Sequence, residues 1–310
     1  MSPASSNSIP SPTVPPTGAP TGARIIAITS GKGGVGKTFV SANLAAALTR
    51  RGQRVLVLDA DLGLANLDVV LNLYPKTTLH DVFTGKSTLD DAVIEAPGGF
   101  SVLLAGSGMV EYSRLTPEVR TQFLNVIQTL APRFDVILLD TGAGISNVVL
   151  FSVSLASEVL IVATPEPTSL TDAYAAIKVL AMQQKRQHVR MVINQTARPG
   201  DGRAITGQLQ QVLERFVTTA TGRALRLIHM GDIPADPAVR ESRDAGTTNA
   251  AFARARSDNS RLRVLGIGQW LASAMRETEE SAHGEFQDLH RQLMRAFRLL
   301  RESVPASAMA

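Results

Sequence analysis

Two hydrophobic rhythms alternate along this chain. Short, nearly uninterrupted apolar runs give way to longer stretches in which apolar positions recur at helical spacing. The runs predict strands at Arg24–Thr29, Arg54–Leu58, Ser101–Ala105, Asp135–Leu139, Val159–Ala163, Val189–Asn194 and Leu225–Met230. Unbroken apolar strands of this kind belong to a parallel sheet covered on both faces. The periodic stretches predict helices at Lys37–Arg50, Thr116–Leu130, Ser169–Gln184, Arg203–Thr219 and Leu262–Glu280. The alternation implies an α/β fold with a mostly parallel sheet flanked by helices, its ligand site at the carboxyl ends of the strands. No internal repeat is evident.

Composition narrows the picture. At 310 residues and 44% apolar, the chain can bury a full core. Its net charge of 31 − 27 = +4 does not by itself call for nucleic acid. It has no cysteine, so disulfides, thiolate catalysis and cysteine-held metals or clusters are excluded. Residues 1–23 are rich in Pro and Ser and lack the apolar stretch of a signal peptide; they read as a disordered leader. The expected organisation is this leader, a nucleotide-binding domain over 24–282, an amphipathic helix over 283–304 and a tail over 305–310.

The chemistry starts after the first predicted strand. Ser30-Gly31-Lys32-Gly33-Gly34-Val35-Gly36-Lys37-Thr38 fits G-x-x-x-x-G-K-[ST], the glycine-rich loop whose backbone N–H groups wrap nucleotide phosphates. A helical pattern opening at Lys37 and Phe39 supplies the helix N-terminus that the motif needs. In this reading Lys37 reaches the β/γ-phosphates and Thr38 holds Mg²⁺; Lys32, a cation that an ordinary loop does not require, has a task of its own.

Acids close two of the following strands. Asp59 and Asp61 end Val-Leu-Val-Leu-Asp-Ala-Asp, and Asp140 ends Val136-Ile137-Leu138-Leu139-Asp140 as in a Walker B element. Asp59 and Asp140 suit Mg²⁺ held through its waters, and Asp61 suits orientation of an attacking water; the alternative for each is a solvated strand-end acid. Gly142-Ala143-Gly144 and Gly63-Leu64-Ala65-Asn66 read either as flexible switch segments around a γ-phosphate or as ordinary βα loops. Asn194 can pair its amide with an adenine edge, and Ile233-Pro234-Ala235-Asp236 can touch the base with backbone. Strand-end Asn and Pro equally serve turns.

Taken together, Gly31–Thr38 with Lys32, Asp59-Ala60-Asp61-Leu62-Gly63-Leu64-Ala65-Asn66-Leu67-Asp68 and Asp140-Thr141-Gly142-Ala143-Gly144-Ile145 resemble the MinD/ParA family of deviant Walker A ATPases. Thr164-Pro165-Glu166-Pro167-Thr168-Ser169-Leu170-Thr171-Asp172-Ala173-Tyr174 is similar to its FlhG (FleN, YlxH) branch, the MinD-like regulators of flagellar number and placement. The resemblance spans about Arg24 to Asp236. It implies a P-loop NTPase fold of the MinD type, ATP and Mg²⁺ as cofactors, and slow, partner-stimulated hydrolysis in an ATP-sandwiched homodimer. Lys32 would reach the partner subunit's phosphates, Asp61 would position the water and Asn194 would read adenine. Gly31, Gly33, Gly34, Val35, Gly36, Phe39, Pro234 and Asp236 complete the implied nucleotide contacts. Implied protein partners are an FlhF-like GTPase or a flagellar transcription regulator. The Asp-Gln-Ala-x-x-Leu-Arg motif with which this branch often stimulates that GTPase does not occur in residues 1–24.

Two segments bear on partners. In residues 285–304, Phe286, Leu289, Leu293, Phe297 and Leu300 form one helical stripe, with Arg291, Arg295 and Arg298 opposite. Such a helix either lies in a membrane interface or caps a core. The resemblance favours the membrane, and hence a cytoplasmic protein reversibly peripheral to the inner face of the cell membrane. Residues 241–263 carry Arg243, Arg254, Arg256, Arg261 and Arg263. They read as a solvated face or, more sharply, as a DNA patch. Division-site control of the MinD type and partitioning of the ParA type on nonspecific DNA are the alternative outputs.

Overall fold

The structure is a computed structural model and describes residues 22–62, 66–106, 115–198 and 200–235. Eight strands form one sheet: β1 Arg24–Ser30, β2 Val55–Ala60, β3 Val93–Glu95, β4 Ser101–Leu103, β5 Val136–Ala143, β6 Glu158–Ala163, β7 His188–Thr196 and β8 Arg226–Pro234. Their order is β3-β4-β2-β5-β1-β6-β7-β8, and every pairing is parallel except β3 with β4. All seven predicted strands are present. The eighth, β3, is a three-residue edge strand too short to show a period.

The helices are α1 Lys37–Thr49, α2 Leu67–Leu71, α3 Leu79–Phe83, α4 Leu89–Ala92, α5 Pro117–Leu130, α6 Asn147–Leu155, α7 Pro167–Gln183, α8 Asp201–Leu213 and α9 Thr219–Thr221. A π-helical stretch, Glu214–Thr218, joins α8 to α9. Sequence periodicity identifies α1, α5, α7 and the α8–α9 run. It does not reveal α6, whose Val-Val-Leu-Phe run is too evenly apolar to show a helical face, or the one-turn helices α2 to α4. The predicted helix at 262–280 and the amphipathic segment at 283–304 lie outside the described residues.

Side-chain alternation along the central strands builds two cores. Ala27, Leu56, Leu58, Ile137 and Leu139 face one side with α5, α6, α7 and α8. Ile26, Ile28, Val55, Val57, Val136 and Leu138 face the other with α1 and α2. Period-two alternation sends neighbours to opposite faces, so a strand apolar at every position is buried on both. Helix α1 is buried along Val40–Leu48. Its alanines let it sit deep against the sheet, which brings its N-terminus to the carboxyl end of β1.

Candidate functional site

The glycine-rich loop leaves β1 at Ser30, whose hydroxyl donates to the Lys32 carbonyl at 2.6 Å. Glycine is obligatory at two places in it. A Cβ on Gly31 would fall 2.1 Å from the backbone of Asp172 in α7. Gly36 has φ +95°, and a Cβ there would meet the Asn194 amide nitrogen at 2.4 Å. Gly36 is also the residue before α1 and offers no side-chain cap. The first N–H groups of the helix are therefore left for an external acceptor, which an anionic phosphate satisfies. Lys37 and Thr38 open α1 next to them. Gly33 and Gly34 are exposed, Val35 is buried and Phe39 is half-buried.

Opposite the loop, β2 and β5 bring two acids side by side, with Asp59 and Asp140 as register partners. Both are buried. Burial pushes the Asp140 carboxyl up to about 6, with the Thr38 and Ser41 hydroxyls and the Lys37 ammonium pulling the other way. Asp59 is raised well above the usual carboxylate range by burial and then by Asp140. Burial also lowers the Lys37 ammonium, against the pull of Asp140 and Asp61. One Asp59 oxygen accepts from the Asp61 N–H at 3.1 Å, while the other, Oδ2, is buried with no hydrogen-bond partner. Two adjacent buried carboxylates and an orphaned oxygen beside a phosphate cradle fit a divalent cation. Among the described residues no group of three or more His, Asp or Glu is placed to hold a metal ion. Mg²⁺ needs none, because it keeps several waters and uses one or two carboxylates with the substrate's phosphates.

Asp61 lies half-buried at the edge of this group. Its carboxylate packs against Gly142, where an added Cβ would stand 3.3 Å away. Sequence alone ends the strand at Leu139 and leaves Gly142–Gly144 as a loop. Instead β5 runs on to Ala143, which pairs with Ser30, and the Gly144 N–H donates to the Ser30 carbonyl at 2.8 Å. Thr141 secures the extension through its hydroxyl to Ile28 O at 3.1 Å. The segment is stitched to the glycine-rich loop. Of its proposed counterpart, residues 63–65 are outside the described residues.

Asn194 ends up beneath the loop. Its Nδ2 donates to Val35 O at 2.8 Å, and its Oδ1 accepts from the Gln195 N–H at 3.0 Å. One amide hydrogen remains for a base edge. Gln195 has φ +62°, a left-handed backbone held for a non-glycine residue. Pro234 ends β8 beside Thr196, to whose carbonyl Ala235 donates at 2.9 Å. Asp236 lies outside the described residues.

Lys32 is tied to the start of α7. Its Nζ is paired with Glu166 Oε2 at 3.1 Å and donates to Thr168 Oγ1 at 3.0 Å, at the start of α7. The pair is exposed, with side-chain accessibilities of 40% and 65%. A cleft of about 480 Å³ lies alongside, lined by Glu166, Gln195, Asp201 and Gln208 among others. It shares Glu166 with Lys32 but none of the phosphate-site residues. Ser41 is absent from the reading of the sequence, and Glu166 and Thr168 enter it only within the stretch that resembles the FlhG branch, with no contact to Lys32 assigned.

The site has known counterparts. A family model described as ParA, NUBPL iron-transfer P-loop NTPase, matches residues 22–265. The antiactivator FleN of Pseudomonas aeruginosa is 43% identical over 219 residues, covering 71% of this chain and 76% of that protein. The flagellum site-determining protein YlxH of Helicobacter pylori is 35% identical over 211 residues, 68% of this chain and 69% of that one. The septum site-determining protein MinD of Pyrococcus horikoshii, solved with Mg-ADP, superimposes with a TM-score of 0.60 at 27% identity, over 79% of this chain and 94% of that one. Without cysteine the chain has no thiolate for the iron chemistry in the family description. With a lysine-bearing glycine-rich loop, paired acids and a parallel sheet of the MinD kind, the chain belongs to the ParA/MinD family of P-loop ATPases.

Proposed function

We propose that this chain is an ATP-driven switch that dimerises around ATP and Mg²⁺, associates reversibly with the membrane and sets flagellar number or placement. The observation that carries the switch is the pairing of Lys32: a phosphate-loop cation held by the exposed side chains of Glu166 and Thr168, and so available to a second subunit. Gly31–Thr38 and the α1 N-terminus bind the phosphates, Lys37 contributes the charge, and Thr38, Asp59 and Asp140 hold Mg²⁺. Mg²⁺, when bound, neutralises charge on the β- and γ-phosphates. Asp61 orients the water that displaces ADP from the γ-phosphoryl group, giving ADP and phosphate. Asn194 uses its remaining amide hydrogen on adenine, with Pro234 and Asp236 beside the base.

The flagellar output rests on likeness to FleN and YlxH, and the partners proposed are an FlhF-like GTPase or a flagellar transcription regulator. Similarity to MinD keeps division-site control as the second reading. No helix of the described residues is long and apolar enough to cross a membrane; attachment is assigned to the amphipathic segment 283–304.

Light scattering of the full chain with ATP and with ADP tests the switch. A dimer with ATP only, lost in Lys32→Ala while ATP binding persists, is expected; an unaltered Lys32→Ala dimer would remove the cross-subunit contact. Co-sedimentation with anionic liposomes tests the membrane step. ATP-dependent pelleting should vanish in Leu293→Glu, and pelleting that survives would assign attachment elsewhere.

A further inference from the structure

Helix α1 presents a fourth polar residue to the cation site. Ser41 lies four residues after Lys37 and three after Thr38, and so is a surface neighbour of each on the helix. Ser41 is fully buried. Its hydroxyl is 2.8 Å from Asp140 Oδ1 and 3.1 Å from the Lys37 carbonyl. A hydroxyl has one hydrogen to give. The Lys37 carbonyl already accepts the helix's own bond from the Ser41 N–H. The carboxylate is closer and charged, and charge-assisted hydrogen bonds are the stronger kind. The Ser41 hydrogen therefore goes to Asp140.

Asp140 is only 4% exposed in the nucleotide-free protein, so bulk water does not readily replace a lost donor on the α1 side. Its donors are the Ser41 and Thr38 hydroxyls, and Thr38 has Mg²⁺ to serve as well. Ser41 alone holds the carboxylate without a share in the cation.

We infer that Ser41 is a positioning residue for the Mg²⁺ site: its hydroxyl fixes the Asp140 carboxylate and leaves the remaining lone pairs for the cation's water shell. This rests on the Mg²⁺–ATP reading above. Hydrogen-bond partners of a metal's direct ligands typically contribute about 10–100-fold to its affinity, and Ser41, acting through a carboxylate that meets the cation's water, belongs at the low end of that range.

The test is a Mg²⁺ titration of fluorescent ATP-analogue binding to the full chain, comparing wild type, Ser41→Ala and Ser41→Thr. Ser41→Ala removes one atom and favours helix, so the fold should persist. The Mg²⁺ midpoint should rise about ten-fold in Ser41→Ala, with affinity in EDTA close to wild type and the apo melting temperature lowered by no more than the loss of one buried hydrogen bond. Ser41→Thr, which restores the hydroxyl, should return the midpoint toward wild type. A Ser41→Ala midpoint equal to wild type would overturn the role of Ser41 alone. An equal loss with and without Mg²⁺ would also overturn it, making Ser41 a support of the phosphate loop. Wild-type protein that fails to bind the analogue with Mg²⁺ would instead bring down the ATPase reading on which this stands.

Discussion

At the amino ends of β1, β6 and β7 the sheet holds a largely covered Glu158 between two arginines, whereas at the carboxyl ends of β2 and β5 it buries Asp59 beside Asp140. Glu158 pairs with Arg24 and, at 2.7 Å, with Arg190. Nearby, Arg186 donates to the carbonyls of Val153, Ala156 and Ser157 at the end of α6. There the protein answers its own charges. At the other end like charges adjoin, an Asp59 oxygen has no hydrogen-bond partner and both carboxyls are raised. A buried charge that is not balanced from within needs a ligand to balance it. The balanced end is architecture and the unbalanced end is a binding site.

Substitutions at the two ends should therefore separate function from stability. Lys37→Ala should lower ATP hydrolysis by about 10³-fold, the scale of losing one donor to a developing transition-state charge. Its urea midpoint should stay near wild type, because the cost of desolvating the lysine offsets its attraction to Asp140 and Asp61. Glu158→Ala should do the reverse. Removing one partner of a buried ion pair costs about 3–5 kcal/mol, read by urea unfolding. By register Glu158 lies level with Ile26, four residues or about 13 Å along β1 from Ser30, where the phosphate loop begins, so ATP affinity should hold better than stability. Equal loss of affinity and stability in either variant would erase the contrast.

A third substitution reverses the usual sign. The Asp140 carboxyl is raised by burial from 3.8 to about 6. Stability linked to this group is thus fully present below the unfolded value and is lost as pH rises through about 6. Near neutral pH the ionised acid costs the nucleotide-free protein about 3 kcal/mol at most, at 1.36 kcal/mol per unit. Asp140→Asn should raise the melting temperature at pH 7.5 and flatten its dependence between pH 4 and 7, while Mg²⁺-dependent ATP binding is lost. A lower melting temperature would mean that the hydrogen bonds of Asp140 outweigh its burial.

These contrasts also mark where the sequence is legible. The glycine-rich loop, Asp59, Asp61 and Asp140 announce themselves because the chemistry fixes residue type and spacing together, and the continuous apolar strands announce the sheet. Asn194 is visible as a strand-end amide, but its clamp on Val35 is a tertiary contact across 159 positions. The extension of β5 through Gly142 depends on Ser30, Thr141 and Gly144 meeting, which no local pattern encodes. Ser41 sits inside an apolar helix where serine has no signature. Glu166 enters only as part of the Thr164–Tyr174 resemblance, and its contact with Lys32 is across 134 positions.

That last contact gives the finest test. The Lys32–Glu166 pair is exposed and should contribute about 0.2–1 kcal/mol, like other surface ion pairs. If Lys32 leaves Glu166 to reach a second subunit, this small energy opposes dimerisation, because it is lost in the dimer and kept in the monomer. One such pair is lost in each of the two subunits, so Glu166→Gln should tighten the ATP-dependent dimer by about two- to thirty-fold. The change should shrink in high salt, since screening weakens an exposed pair first. Thr168→Ala, which removes the uncharged contact, should act in the same direction with little response to salt. Sedimentation equilibrium with a slowly hydrolysed ATP analogue resolves both. A weaker dimer in Glu166→Gln would mean that Glu166 belongs to the dimer contact itself, and that Lys32 is oriented by it rather than restrained.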